Sequence, residues 1–385
     1  MQHLLNSRAR DIQISGIRKF SNLVQKYDDA ISLTIGQPDF ATPEHIKDAG
    51  KQAIDQNQTA YTPNAGLQAL RKAASAFVAQ KYGLRYDAAS EVIVTNGASE
   101  AIDIAFRTIL EEGNEVILPG PVYPGYEPII RLCGAVPVYA DTRQTDFKMT
   151  AALINEKITE RTRCVILPYP SNPTGCTLEQ KDIEEIAELL ADKEIFVISD
   201  EIYSELIYDG THRSIAALPS MRGKTIVING LSKSHSMTGW RIGFTFAPAY
   251  ITEHMVKVHQ YNATCASSIS QYAALAALTA GIDDAQPMKD AYDKRRAYVY
   301  ERLTKMGFEV VKPDGAFYIF PSIKKFGLSS FDFALRLLEE QRVAVVPGDA
   351  FSSYGEGYIR ISYAYAMNVL EEGLDRLETF LIQNK

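Results

Sequence analysis

Between residues 91 and 247 the chain alternates short apolar runs with helix-period segments, and this alternation constrains the fold more than any other feature. The runs span 91–95, 115–118, 136–140, 164–168, 195–199, 225–229 and 242–247. Between them, Ile102, Ala105, Phe106 and Ile109 share one helical face, as do Ile183, Ile186, Ala187 and Leu190. Strands that alternate with helices pack as a mainly parallel α/β sheet. After about residue 285 the texture changes. A helical stretch over 296–306 leads to shorter strand candidates at 308–311, 316–320, 343–346 and 358–362, and a helix over 368–382 closes the chain. The expected organisation is an N-terminal arm (1–45) that packs with a small α+β domain (285–385), around a large domain (46–284).

Several function classes fall away early. A formal net charge of -7 with no basic helical module argues against a nucleic-acid binder. The four cysteines, Cys133, Cys164, Cys176 and Cys265, contain no C-x-x-C pair, and the six histidines form no ligand cluster. Neither a disulfide framework nor a metal site is expected. Residues 1–11 lack an apolar signal core, and no stretch of about 18 apolar residues could span a membrane. The expectation is a soluble, cytoplasmic protein.

Polar residues cluster where ligands of open α/β sheets bind, just beyond the carboxyl ends of the strands. Gly97-Ala98-Ser99 follows the first run, Tyr123 the second, Ser171-Asn172-Pro173-Thr174-Gly175 the fourth, Asp200 the fifth and Ser232-Lys233 the sixth. Gly97-Ala98-Ser99 opens a helix and offers backbone N–H groups to a phosphate; read alone, it is equally a tight turn with Ser99 as N-cap. Neither a Walker loop nor a G-x-G-x-x-G fingerprint is present. Lys233 stands among hydroxyl residues with Arg241 eight residues on. A desolvated, cationic setting turns a lysine into a nucleophile. By composition alone, a surface loop lysine and a structural arginine is the reading that wins.

The segment Leu231–Gly243 resembles the pyridoxal-phosphate attachment motif of the class I/II aminotransferases, S-x-[AS]-K followed by G-x-R-x-G. The likeness extends along nearly the whole chain. It includes Ser32–Phe40, Tyr61–Gly66 with Leu70-Arg71, Asn172–Gly175, Asp200–Tyr203 and Arg360, in the family's order. The resemblance implies the pyridoxal-phosphate-dependent transferase fold, with a mainly parallel seven-stranded sheet. It also implies an aminotransferase moving an amino group between an amino acid and a 2-oxo acid, with pyridoxal 5'-phosphate as cofactor.

Site roles follow from the same resemblance. Lys233 is implied as the residue that binds the cofactor aldehyde and later moves the substrate Cα proton. Asp200 is implied to face the pyridine nitrogen, Asn172 and Tyr203 the phenolic oxygen, and Tyr123 the ring face. Ala98, Ser99, Ser232 and Arg241 are implied to hold the phosphate, with Tyr61 reaching in from a second subunit of a homodimer with shared sites. Arg360 is implied as the clamp for the substrate carboxylate, assisted by Asn172 and the Gly36 backbone. The catalytic set is Lys233, Asp200 and Tyr203. His235 and Cys176 are expected to be structural, and Asn172–Pro173 is a candidate cis peptide.

Within the family, overall likeness points to bacterial N-acetyl-LL-diaminopimelate aminotransferases of lysine biosynthesis, with 2-oxoglutarate and glutamate as one substrate pair. Aspartate or aromatic aminotransferases are the near alternative. A C–S β-lyase shares Lys233 and Asp200 and differs in making pyruvate and ammonia without added oxo acid. A ligand-sensing regulator is a non-enzymatic alternative, against which the lack of a basic helical module weighs. No residue is singled out as reading the substrate side chain; Arg18 and Lys19 are basic candidates, and a solvated arm explains them equally.

Overall fold

A computed structural model describes residues 1–384; Lys385, the last residue of the expected small domain, lies outside the described residues. The seven apolar runs all form strands: β1 (Val92–Asn96), β2 (Glu115–Gly120), β3 (Val136–Asp141), β4 (Thr162–Leu167), β5 (Phe196–Asp200), β6 (Thr225–Gly230) and β7 (Ile242–Phe246). They make one sheet in the order β1-β7-β6-β5-β4-β2-β3. Only β7 runs against its neighbours, β1 and β6. The cause is the connection: residues 231–241 join β6 to β7 without a crossover helix, and a parallel pairing needs one. That loop therefore lies at the carboxyl end of β6, beside the carboxyl ends of β1 and β5. It carries Lys233 and Arg241.

The period of two along each strand feeds separate cores on the two faces. Ile226 and Ile228 of β6 pack with helix Ala98–Ile109, whereas Val227 between them packs toward helices Gln68–Tyr82 and Ser268–Thr279. A sheet covered on both faces has no solvated side, so its strands read as continuous apolar runs.

The smaller lobe holds a three-stranded antiparallel sheet of β8 (Tyr318–Ile319), β9 (Val346–Pro347) and β10 (Ile359–Ser362), in the order β9-β10-β8. Helices Ala285–Lys305, Ser330–Gln341 and Met367–Gln383 pack around it. The N-terminal segment joins this lobe: Ile31 and Ser32 pair in parallel with Val343 and Ala344, and Phe20 and Leu33 are buried in the same core.

Two expectations need correction here. Residues 308–311 form no strand; Glu309 makes a single bridge to Ser322. The apolar signal came from packing, since the ring of Phe308 lies 5.3 Å from that of Phe326. The helix expected at 296 begins at Ala285, because Pro287 in its first turn is compatible with a helix start and its early residues are mostly polar. Among the described residues, no helix is long and apolar enough to cross a membrane.

Candidate active site

A cavity of about 320 Å³ lies at the carboxyl edge of the large sheet, closed on its far side by the small lobe. Gly36, Ala98, Ser99, Tyr123, Asn172 and Asp200 line it, and so do Tyr203, Ser232, Lys233, Arg241 and Arg360. Of the residues given site roles by the resemblance, Tyr61 alone does not line it: it is 86% exposed on the surface. Arg18 and Lys19 are also exposed and do not line the cavity, which their neighbour Ile17 does.

At one end, helix Ala98–Ile109 begins with no side-chain cap on its first turn. Gly97 precedes it at φ +77°, and a Cβ there would fall 2.3 Å from Arg241 Nη2. A Cβ at Gly243 would lie 2.4 Å from the Gly97 carbonyl carbon. Two glycines therefore let a guanidinium lie against the helix start. Arg241 donates to the carbonyls of Thr238 at 3.0 Å and Asn96 at 3.3 Å. The Glu100 carboxylate fixes the turn by accepting from the Asn96 backbone N–H at 2.6 Å. Free N–H groups, the positive end of a helix and a guanidinium together form an anion site.

At the centre, Lys233 Nζ donates to the Gly36 carbonyl at 2.5 Å. Burial, and then the charges of Arg360 and Arg241, bring its amine down to about 8. Asp200 is buried at the end of β5. Burial pushes its carboxyl up to about 6, although the Tyr126 hydroxyl, which donates to Oδ2 at 2.7 Å, opposes that rise. The ring of Tyr123 meets that of Tyr126 edge-on at 5.5 Å.

At the other end, β10 delivers Arg360 into the cavity with 2% of its surface exposed. Its Nη1 donates to Asn172 Oδ1 at 2.9 Å and its Nη2 to the Thr34 carbonyl at 2.5 Å. The guanidinium carbon lies 4.4 Å from the ring centre of Tyr318 and 5.0 Å from that of Phe351. Its Nε is buried with no hydrogen-bond partner. Desolvating a guanidinium costs several kcal/mol unless an anion or a full set of acceptors offsets it. The Asn172–Pro173 bond is cis, as are Gly120–Pro121 and Tyr169–Pro170.

The charge balance of the cavity is the main chemical observation. Three cations line it, Lys233, Arg241 and Arg360, against one carboxylate, Asp200. Among the described residues, none of the three has a carboxylate within ion-pair distance. Such a site suits two separate anionic groups, one at each arginine, with an amine between them. This fits pyridoxal phosphate plus the carboxylate of an amino acid.

Tyr126 and Tyr318, both within the site, were not found in the sequence; Gln37, which lines the cavity, and the Thr34 carbonyl lie in the Ser32–Phe40 segment of the resemblance, where neither was given a role. Tyr126 had one faint signal, its place three residues after Tyr123 at the start of a helix. Tyr318 sits in an apolar run that reads as core. His235 and Cys176 are structural as expected. The ring of His235 is buried and its Nε2 is 2.9 Å from the Gly281 carbonyl; the thiol of Cys176 donates to the Phe147 carbonyl at 3.2 Å.

A mainly parallel sheet with Lys233, buried Asp200 and Arg241 at its carboxyl edge, faced by Arg360 from the small lobe, fits a pyridoxal-phosphate enzyme of the aminotransferase fold. Comparison with known proteins agrees. Residues 28–377 match the family "Aminotransferase class I and II". The chain is 63% identical over 385 residues to the Bacillus subtilis (strain 168) protein named "Probable N-acetyl-LL-diaminopimelate aminotransferase", covering 100% of this chain and 98% of that one. The solved aromatic aminotransferase from Pyrococcus horikoshii OT3 superposes with a TM-score of 0.90 at 44% identity, covering 94% of this chain and 99% of the other. The Thermus thermophilus aspartate aminotransferase with maleate superposes with a TM-score of 0.92 at 33% identity, covering 97% and 99%. The chain belongs to the class I and II aminotransferases. It is an aminotransferase whose cofactor is pyridoxal 5'-phosphate and whose substrates are amino acids and 2-oxo acids.

Proposed function

We propose that Lys233, Asp200 and Tyr203 carry the chemistry, with the phosphate at Arg241 and the substrate carboxylate at Arg360. The observation that carries this reading is the excess of cations around Lys233, with one unpaired arginine at each end of the cavity. Ala98, Ser99 and Ser232 join Arg241 in holding the phosphate, and Tyr123 covers the cofactor ring. Bound pyridoxal phosphate supplies an electron sink for the pair left behind when the substrate Cα loses its proton. Lys233 is the residue that would hold the cofactor through its aldehyde. The free Nζ of Lys233 would take the Cα proton of the substrate and return it, a role suited to an amine brought down to about 8. Asp200, buried at the end of β5, would face the pyridine nitrogen and favour its protonated form. Tyr203 and Asn172 hold the phenolic oxygen, and Arg360, Asn172 and the Gly36 backbone fix the carboxylate.

We also propose N-acetyl-LL-diaminopimelate as the donor substrate, with 2-oxoglutarate and glutamate as the other pair, which would place the enzyme in lysine biosynthesis. Full-length identity to the Bacillus subtilis protein supports this reading. A panel of amino donors with 2-oxoglutarate as acceptor tests it. N-acetyl-LL-diaminopimelate should give the highest kcat/KM, above N-succinyl-LL-diaminopimelate, aspartate and phenylalanine. A preference for aspartate or an aromatic donor refutes it. The active unit is proposed to be a homodimer in which Tyr61, exposed in the single chain, serves the neighbouring cavity. A fully active monomer in solution contradicts that. The domain division is proposed to be residues 1–45 as an arm that is part of the small domain, 46–284 as the large cofactor-binding domain and 285–385 as the small domain; the pairing of Ile31 and Ser32 with Val343 and Ala344 supports it.

A further inference from the structure

One side chain of the small lobe touches both ends of the chemistry. Tyr318 in β8 is fully buried, and its hydroxyl lies 2.8 Å from that of Tyr203. The two rings meet edge-on, 5.8 Å apart at 78°. The Arg360 guanidinium lies over the face of the Tyr318 ring, 4.4 Å from its centre. A third contact involves the backbone. A Cβ at Gly36 would fall 2.7 Å from the Tyr318 hydroxyl oxygen, so position 36 has room only for hydrogen. The carbonyl of this same Gly36 accepts from Lys233 Nζ. Tyr318 therefore adjoins Tyr203, Arg360 and the segment that holds the lysine.

We propose that Tyr318 is a positioning residue that couples the carboxylate site at Arg360 to the hydroxyl of Tyr203. The inference rests on the assignment of Tyr203 to the cofactor and of Arg360 to the substrate. Ring and hydroxyl have separable tasks. The ring face fixes the guanidinium plane, since arginine stacks on aromatic faces while its N–H groups stay free in that plane. Either oxygen of this pair can donate; the coupling requires the Tyr318 hydroxyl to donate to Tyr203, which leaves the Tyr203 proton for the cofactor's phenolic oxygen. A phenol that receives a hydrogen bond is also polarised into a stronger donor. A shift of Arg360 as it takes a carboxylate is passed to Tyr203 through one rigid ring.

The test uses the holoprotein with Lys233, Asp200, Arg241 and Arg360 intact, and reads two properties apart from turnover. One is the pH midpoint of the visible absorption of the bound cofactor; the other is the affinity for maleate, an unreactive dicarboxylate. Tyr318→Phe should move the midpoint in the same direction as Tyr203→Phe, by less, and leave maleate affinity within about twofold because the ring remains. Tyr318→Leu should weaken maleate about tenfold or more, since ring and stacking are both lost. In the Tyr203→Phe background, Tyr318→Phe should have no further effect on the midpoint. Gly36→Ala provides a second route. It displaces the hydroxyl without changing residue 318, so it should move the midpoint in the same direction as Tyr318→Phe, and adding Tyr318→Phe should move it no further. A Tyr318→Phe protein that titrates like wild type, or midpoint shifts that add in the double variant, overturns the proposal. If wild type takes up no cofactor at Lys233, the underlying assignment fails instead, and the two failures are distinguishable.

Discussion

The two arginines of the cavity are held in opposite ways. Arg241 stands at the exposed end, positioned by backbone: two glycines clear its path and two carbonyls accept from it. Arg360 is buried between the rings of Tyr318 and Phe351, with Asn172 and the Thr34 carbonyl on its N–H groups. A helix start with a guanidinium suits a phosphate, whose oxygens point in several directions. A buried guanidinium packed against two aromatic rings suits a planar carboxylate, bound through two parallel hydrogen bonds. On the proposed assignment, the difference teaches how one small cavity would keep a resident anion apart from an exchanging one. Geometry makes the distinction, since the charges are equal.

The predictions break or sharpen that contrast. The largest effect belongs to the group between the arginines. Lys233→Ala should lower transamination by about 10⁴-fold or more, with a cooperative thermal transition retained. Wild-type turnover in that protein refutes the assignment. Asp200→Ala should lower kcat by about 10²–10³-fold through loss of the electron sink. A change confined to KM contradicts it.

Next come the arginines themselves. Arg360→Lys should raise KM for both amino acid and oxo acid by about 10- to 100-fold, the loss of a bidentate charged contact, with cofactor uptake unchanged. Arg241→Lys should do the reverse, weakening cofactor retention in dialysis while KM moves little. If both variants gave the same phenotype, the two ends would not be distinct sites.

The smallest effect is a pH dependence. Lys233 titrates at about 8 because burial and the two arginines disfavour its charged form. Only the neutral amine attacks an aldehyde, so cofactor attachment to the apoprotein should speed up with rising pH and level off above about 8. Arg360→Met should move that midpoint upward, and by more than Arg241→Met, since Arg360 exerts the larger effect on the amine. A midpoint unchanged in both variants contradicts this account.

How much of this was legible in the chain depends on how local each feature is. The seven strands were legible because a sheet covered on both faces concentrates apolar residues in short runs. Residues 308–311 misled because a buried aromatic looks the same in a loop as in a strand. Lys233, Asp200 and Asn172 were legible because a ligand at a sheet edge draws polar groups to strand ends. Tyr126 and Tyr318 were not, among 21 tyrosines. Tyr318 is defined by Tyr203, Arg360 and Gly36, which are distant in sequence, and no local pattern encodes such a meeting. The Thr34 carbonyl carries no side-chain signature at all.

Everything turns on the amine at the floor of the cavity. Holoprotein reduced with borohydride, digested and read by mass spectrometry should carry the reduced cofactor on the peptide containing Lys233, with a visible band lost on reduction. Cofactor trapped on a different lysine, or a protein that stays colourless and unmodified at saturating pyridoxal phosphate, contradicts the account.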